Sequence, residues 1–167
     1  MLKNIGKIKE EKMKLLFLDL DGVVNSVRFE IRRQEDKVLS ELPYPLSEFD
    51  PICVNYVNEI LDKTDAKLIL SSDWRFTDGI ENIFNKVGFT HPIYGKTCYG
   101  MSKGRGYEIQ KYIDDCSDDV IAYCIIDDID YCFTKKQKKH FIHTNEYVGL
   151  TEDDVKKAIN ILNNFNK

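Results

Sequence analysis

Residues 15–18, Leu-Leu-Phe-Leu, run without a polar interruption into Asp19-Leu20-Asp21-Gly22. A solid apolar run suits a central strand of a parallel sheet covered on both faces, whereas an alternating run would suit a strand with one wet face. In open α/β sheets the ligand crevice lies outside the carboxyl ends of the strands. Asp19 and Asp21 are therefore expected to stand in that crevice, with Gly22 letting the backbone turn tightly beside them. Two like charges this close need a cation, a shared proton or a cationic clamp to relieve them. The expectation is a metal ion.

The rest of the chain alternates strand-like and helix-like stretches. Residues 1–12 are polar and Lys-rich and read as a flexible N-terminal extension. A first strand is expected over 14–20. Residues 26–49 are rich in charge and carry Pro43 and Pro45, so they read as an irregular excursion with a short helical piece. Asp50-Pro51 is an N-cap followed by Pro at the first helical position, with Val54, Val57, Ile60 and Leu61 at helical spacing behind it. Residues 67–71 read as a second strand, and 78–87 as a helix ended by Gly88. Residues 91–94 read as a short strand, 103–113 as a helix, 120–126 as a strongly apolar strand and 140–143 as a last short strand. Thr151-Glu-Asp-Asp154 resembles a capping box opening a final helix. This order predicts an α/β fold, a Rossmann-like three-layer α/β/α sandwich with a mostly parallel five-stranded sheet and right-handed crossovers. With 167 residues and 43% apolar content the chain can bury one sizeable core, so 13–167 is expected to be a single domain with 26–49 as a small insert.

Charge narrows the partners. A net charge of -4 argues against stable binding along nucleic-acid backbones, though not against a basic pocket for one phosphate. Five cysteines form no CxxC pair, so buried thiols are expected rather than disulfides or zinc. No apolar run reaches the roughly 18–20 residues that span a bilayer, and the first residues lack the apolar core of a signal peptide. A soluble cytoplasmic protein without a membrane partner is the expectation; oligomeric state is left open.

Three strand ends then converge. The first carries Asp19 and Asp21, the second Ser71-Ser72-Asp73-Trp74-Arg75, the late apolar strand Asp127-Asp128. Ser102-Lys103-Gly104-Arg105 precedes a helix between the last two. In a parallel sheet all these ends fall on one edge. The set DLDGVVN at 19–25, LILSS at 68–72, KGR at 103–105 and IIDD at 125–128 resembles the haloacid dehalogenase (HAD) superfamily of phosphatases. SSDWR, RGYEIQ at 105–110 and GLTEDD at 149–154 more narrowly resemble the HAD-type domains of RNA-repair and polynucleotide phosphatase proteins. The superfamily pattern covers about residues 13–165.

That resemblance implies Asp19 as nucleophile, forming an aspartyl-phosphate, and Asp21 as the acid that protonates the leaving oxygen and then takes a proton from water. It implies Mg²⁺, a hard cation suited to oxygen ligands, held by Asp19, the backbone carbonyl of Asp21, and Asp127, with Asp128 near or through water. Ser71 would bind a phosphoryl oxygen, and Lys103 or Arg105 would offset the charge on the phosphorylated intermediate; the sequence leaves that pair open. Gly22, Ser72 and Arg75 are candidate substrate contacts, although Ser72 equally suits a helix cap and Trp74 suits local packing. The basic run at 135–139 reads as a solvated face. Residues 26–49 leave room for a minimal cap or none, so an open site is expected, able to admit a phosphorylated nucleic-acid end. A small nucleotide or sugar phosphate is the alternative substrate. A receiver-type signalling module is the alternative of another class, and a catalytically silent binding subunit a third.

Overall fold

A computed structural model of the chain describes residues 12–98 and 103–164. Its sheet has five strands, all parallel: β1 (Lys12–Leu18), β2 (Lys67–Leu70), β3 (Ile93–Lys96), β4 (Asp119–Asp127) and β5 (Phe141–His143), in the order β3-β2-β1-β4-β5. The solid apolar run of β1 has the predicted consequence: it is the middle strand, with Leu15, Leu16, Phe17 and Leu18 all fully buried. Alternate residues serve opposite faces. Leu16, Leu18, Leu68, Leu70, Cys124 and Ile126 join one core, while Leu15, Phe17, Ile69, Tyr123 and Ile125 join the other. This is the Rossmann-like three-layer arrangement.

Six α-helices are present among the described residues: α1 (Val27–Glu35), α2 (Lys37–Ser40), α3 (Pro51–Thr64), α4 (Ile80–Val87), α5 (Arg105–Asp114) and α6 (Glu152–Asn163). Residues of α3, α4 and α6 pack into the first core, and Ile109 of α5 into the second. Local chemistry sets their ends. Asp50 caps α3 by accepting the Ile52 N–H, with Pro51 at the first helical position. Thr151 and Asp154 form the expected capping box of α6. Gly88 ends α4.

Two expectations need correction. Residues 26–49 are more helical than their charge suggested: Ser26 caps α1 and Asp36 caps α2. Only Phe29 of α1 is buried, so the helix has almost no apolar stripe to read. The third strand lies at Ile93–Lys96, later than 91–94, and its pairing with β2 begins at Ile93 rather than at His91-Pro92. The expected N-terminal extension lies outside the described residues except for Lys12, which opens β1, and so does Ser102. All five cysteines are free thiols, with Cys53 and Cys124 buried. Among the described residues no helix is long and apolar enough to cross a membrane.

The strand order positions the site. The chain moves outward from β1 through β2 to β3, then returns across β1 to place β4 and β5 on its other side. The order therefore reverses between β1 and β4, and the crevice at such a reversal is where open α/β sheets hold ligands.

Candidate active site

Asp19 follows β1 directly and is 3% exposed; its N–H donates to the Ile126 carbonyl, locking it beside the end of β4. Asp127, the last residue of β4, is fully buried and its Oδ1 accepts the Ile129 N–H. Carboxylate oxygens of Asp19, Asp127 and Asp128 come within 4.8 Å of one another. The two ends of the fold's core thus deliver their acids to one point. Gly22 makes this possible in two ways. Its φ of +69° suits glycine, and a Cβ there would lie 2.5 Å from Asp128 Oδ2. Thr144, just past β5, holds the same turn by donating its hydroxyl to the Gly22 carbonyl.

Arg105 is the cation that meets these acids. Its Nη1 lies 2.6 Å from Asp19 Oδ2 and 2.6 Å from Asp127 Oδ2. Lys103 instead is exposed, with its Nζ 4.5 Å from the centre of the Tyr107 ring. Between the two bases the sequence left open, only Arg105 reaches the cluster. Gly106 explains how α5 comes so near: a Cβ there would lie 2.2 Å from the Cys132 carbonyl oxygen, and the Gly106 carbonyl accepts Gln137 Nε2. Burial alone would lower the Arg105 pKa, but Asp19 and Asp127 more than offset it, so the guanidinium stays charged. Asp127 is pushed up to about 6 by burial and the neighbouring Asp19 carboxylate, against the pull of Arg105. Asp128 is raised for the same first two reasons.

The other predicted residues divide. Ser71 follows β2 directly beside β1, its N–H bonded to the Leu18 carbonyl, and its Oγ is buried with no hydrogen-bond partner among the described residues. A buried hydroxyl without a partner is costly, and this one stands at the ligand edge of the sheet. Ser72 is fully buried and caps the turn of 3-10 helix Asp73–Phe76 by accepting the Trp74 N–H. Arg75 is 6% exposed; it donates to the Ser71 carbonyl and makes a 2.9 Å ion pair with buried Glu108 of α5. It ties the end of β2 to α5 more directly than it faces solvent.

Asp21 sits apart from the three-acid cluster at its side chain. Its carboxylate accepts Asn25 Nδ2 at 2.7 Å and lies 3.2 Å, at each oxygen, from Trp74 Nε1. Asn25 and Trp74 were not expected in this role. The Asn lies four residues after Asp21, the one sequence signal available; nothing in the sequence links Trp74 to Asp21 across 53 positions. Asp21, Gly22 and Asp128 open onto a cleft of about 370 Å³ whose wall includes Phe29, Glu30, Glu48 and Glu146, with no lysine or arginine among the described residues that line it. Arg105 itself, with Arg75, Tyr131 and Cys132 among others, lines a smaller pocket of about 200 Å³.

A parallel Rossmann-like sheet with paired acids at the ends of its first and fourth strands, a hydroxyl after the second and a cation from the helix between defines a domain of the HAD class. More narrowly, residues 15–155 match the family of the HAD domain in Swiss Army Knife RNA repair proteins, and the chain belongs to that family. The membership supports a HAD-type hydrolase, a phosphatase in general terms. No curated protein and no solved structure is matched.

Proposed function

We propose that the protein is a Mg²⁺-dependent phosphomonoester hydrolase that works through an aspartyl-phosphate on Asp19. The observation that carries this is the meeting of Arg105 with Asp19 and Asp127, each at 2.6 Å. It brings a nucleophilic carboxylate, a second acid and a fixed positive charge from three separate elements to one spot. The all-oxygen set of Asp19, Asp127 and Asp128 fits a hard divalent cation. When bound, that ion supplies charge neutralisation and polarises a phosphoryl oxygen.

The chain's own residues do the rest. Asp19 attacks phosphorus, and its burial against β4 holds it in one orientation. The unpartnered Ser71 Oγ offers a hydrogen bond to a phosphoryl oxygen. Arg105 balances the charge gathered on the transferring group, a contribution worth about 10²–10³ in rate for one such donor. Asp21, facing the larger cleft, protonates the departing oxygen and afterwards receives a proton from the attacking water.

A phosphorylated nucleic-acid end is the substrate class suggested by the family's link to RNA repair. A small nucleotide or sugar phosphate is the second reading, and one observation favours it: Glu48 and Glu146 in the cleft beside Asp21 would repel further phosphates of a chain. The test is hydrolysis with Mg²⁺ of 3′- and 5′-phosphorylated oligonucleotides, mononucleotides, sugar phosphates and phosphopeptides. Turnover that EDTA abolishes and Asp19→Asn lowers on the order of 10⁴-fold or more is expected. Turnover that survives EDTA overturns the metal assignment. An Asp19→Asn variant with wild-type rate overturns the nucleophile, and a stable phospho-Asp without turnover favours a receiver-type module.

A further inference from the structure

We propose that Trp74 and Asn25 are positioning residues for Asp21, which leave its Oδ2 as the oxygen that exchanges a proton with substrate; this rests on the phosphatase reading above. Asn25 Oδ1 accepts the Gly22 N–H at 3.0 Å. A backbone N–H only donates, so the Asn25 amide has one admissible orientation, with its NH₂ turned towards Asp21 Oδ1 at 2.7 Å. The indole N–H of Trp74 also only donates, and it is shared between the two oxygens at 3.2 Å each. Oδ1 therefore faces two N–H groups, and a hydrogen on Oδ1 would meet one of them. Oδ2 shares a single N–H, which can close onto Oδ1 when Oδ2 is occupied.

The indole is itself held. Its ring meets Phe49 edge-on at 5.3 Å, Phe49 is buried and meets Phe89, and Phe89 stacks on Phe84 of α4. The core thus reaches the Asp21 carboxyl through a short row of aromatic rings ending in one N–H. Tryptophan is the side chain that combines a flat apolar body with a donor and no acceptor.

In the first half-reaction the Oδ2 hydrogen passes as a proton to the leaving oxygen as its bond to phosphorus breaks and the Asp19–phosphorus bond forms. Asp21 is left as a carboxylate. In the second, water gives a proton to Oδ2 while its oxygen bonds phosphorus and the Asp19–phosphorus bond breaks, returning both carboxyl groups to their starting state.

The test is Trp74→Phe, which keeps the ring and removes the N–H, assayed with Mg²⁺ on an alkyl phosphomonoester and on p-nitrophenyl phosphate. Nitrophenolate departs with little help from a proton, whereas an alkoxide requires it. The expected result is a fall of about 10- to 100-fold in the pre-steady-state rate of phosphoenzyme formation from the alkyl ester and a much smaller fall from the nitrophenyl ester, read on that step because the later hydrolysis, which also uses Asp21, is common to both. Equal losses on both, or none, overturn the proposal. The chain has a single tryptophan, so its emission reports on Trp74 alone. Asp21→Ala should shift that emission and Glu48→Ala should not; an unchanged spectrum in Asp21→Ala overturns the contact, even where Trp74→Phe does not fold. A wild-type protein inactive on both esters overturns the phosphatase reading and takes this proposal with it, a result distinct from active protein with equal losses.

Discussion

Arg105 places one positive charge between two buried carboxylates, Asp19 and Asp127, that would otherwise repel. Removing it should therefore act twice. Arg105→Ala is expected to lower kcat by about 10²–10³ and to lower the metal-free melting temperature, while Mg²⁺ stabilises the variant more than the wild type. Thermal unfolding with and without Mg²⁺, beside a phosphatase assay, checks both. The raised Asp127 pKa sets a pH dependence. Folded protein holds that proton to about 6 against an ordinary value of 3.8, so it binds more protons than the unfolded chain between these values. The stabilisation from this group is present in full below the lower value and is lost as pH rises through the upper one, on the order of 3 kcal/mol at most. Metal-free wild type should thus lose stability relative to Asp127→Asn between about pH 4 and pH 7, and saturating Mg²⁺ should cancel the loss. Urea midpoints across that range decide; a flat or rising difference contradicts it. Single residues were also where the sequence was least complete. Lys103 and Arg105 stand equally near a helix start, and spacing does not say which side chain turns inward. Trp74 looked like packing because its N–H matters only once the fold brings Asp21 to it.

Elements were legible wherever a cap or an apolar stripe announced them. Asp50-Pro51, Gly88 and the Thr151–Asp154 box each mark a helix end in the structure as in the sequence. Helix α1 escaped because it buries only Phe29, and its apolar residues Val27, Phe29 and Ile31 alternate with charge instead of recurring at helical spacing. That helix contributes Val27, Phe29, Glu30 and Ile31 to the cleft beside Asp21. Helix α5 depends on a close approach rather than a stripe. Gly-to-Ala in a helix interior ordinarily stabilises by about 1 kcal/mol. At Gly106 the new Cβ would lie 2.2 Å from the Cys132 carbonyl oxygen, so Gly106→Ala should destabilise the protein and draw Arg105 away from the acids. Lower melting temperature together with lost activity is expected, and a raised melting temperature would contradict the packing. The Arg75–Glu108 pair joins the same helix to β2. Arg75→Met removes the 2.9 Å ion pair with Glu108 and is expected to lower the chemical-denaturation midpoint; an unchanged midpoint would contradict the tie.

At the scale of the whole molecule, a parallel α/β sheet was readable from the alternation of strands and helices, but the strand order was not. It depends on the return of the chain across β1 after β3, a choice made by packing rather than by any local pattern. That return puts β4 beside β1, and so brings residues more than a hundred positions apart to one edge. The sheet's two cores are served by alternate residues of the same strands, which a solid apolar run implies and an alternating one would not. The net charge of -4 and the acidic wall of the larger cleft predict an unusual salt response. For an oligonucleotide substrate kcat/KM should rise with ionic strength, as screening relieves repulsion, rather than fall as it does for a basic nucleic-acid binder. The claim beneath all of this is that Asp19 becomes phosphorylated. The direct measurement is acid-quenched peptide mass spectrometry of Asp21→Asn protein after brief exposure to Mg²⁺ and a phosphomonoester. A phosphoryl group on the peptide containing Asp19, removed by hydroxylamine and absent from Asp19→Asn, is the predicted result; steady turnover by wild type with no adduct on Asp19 under any quench would contradict it.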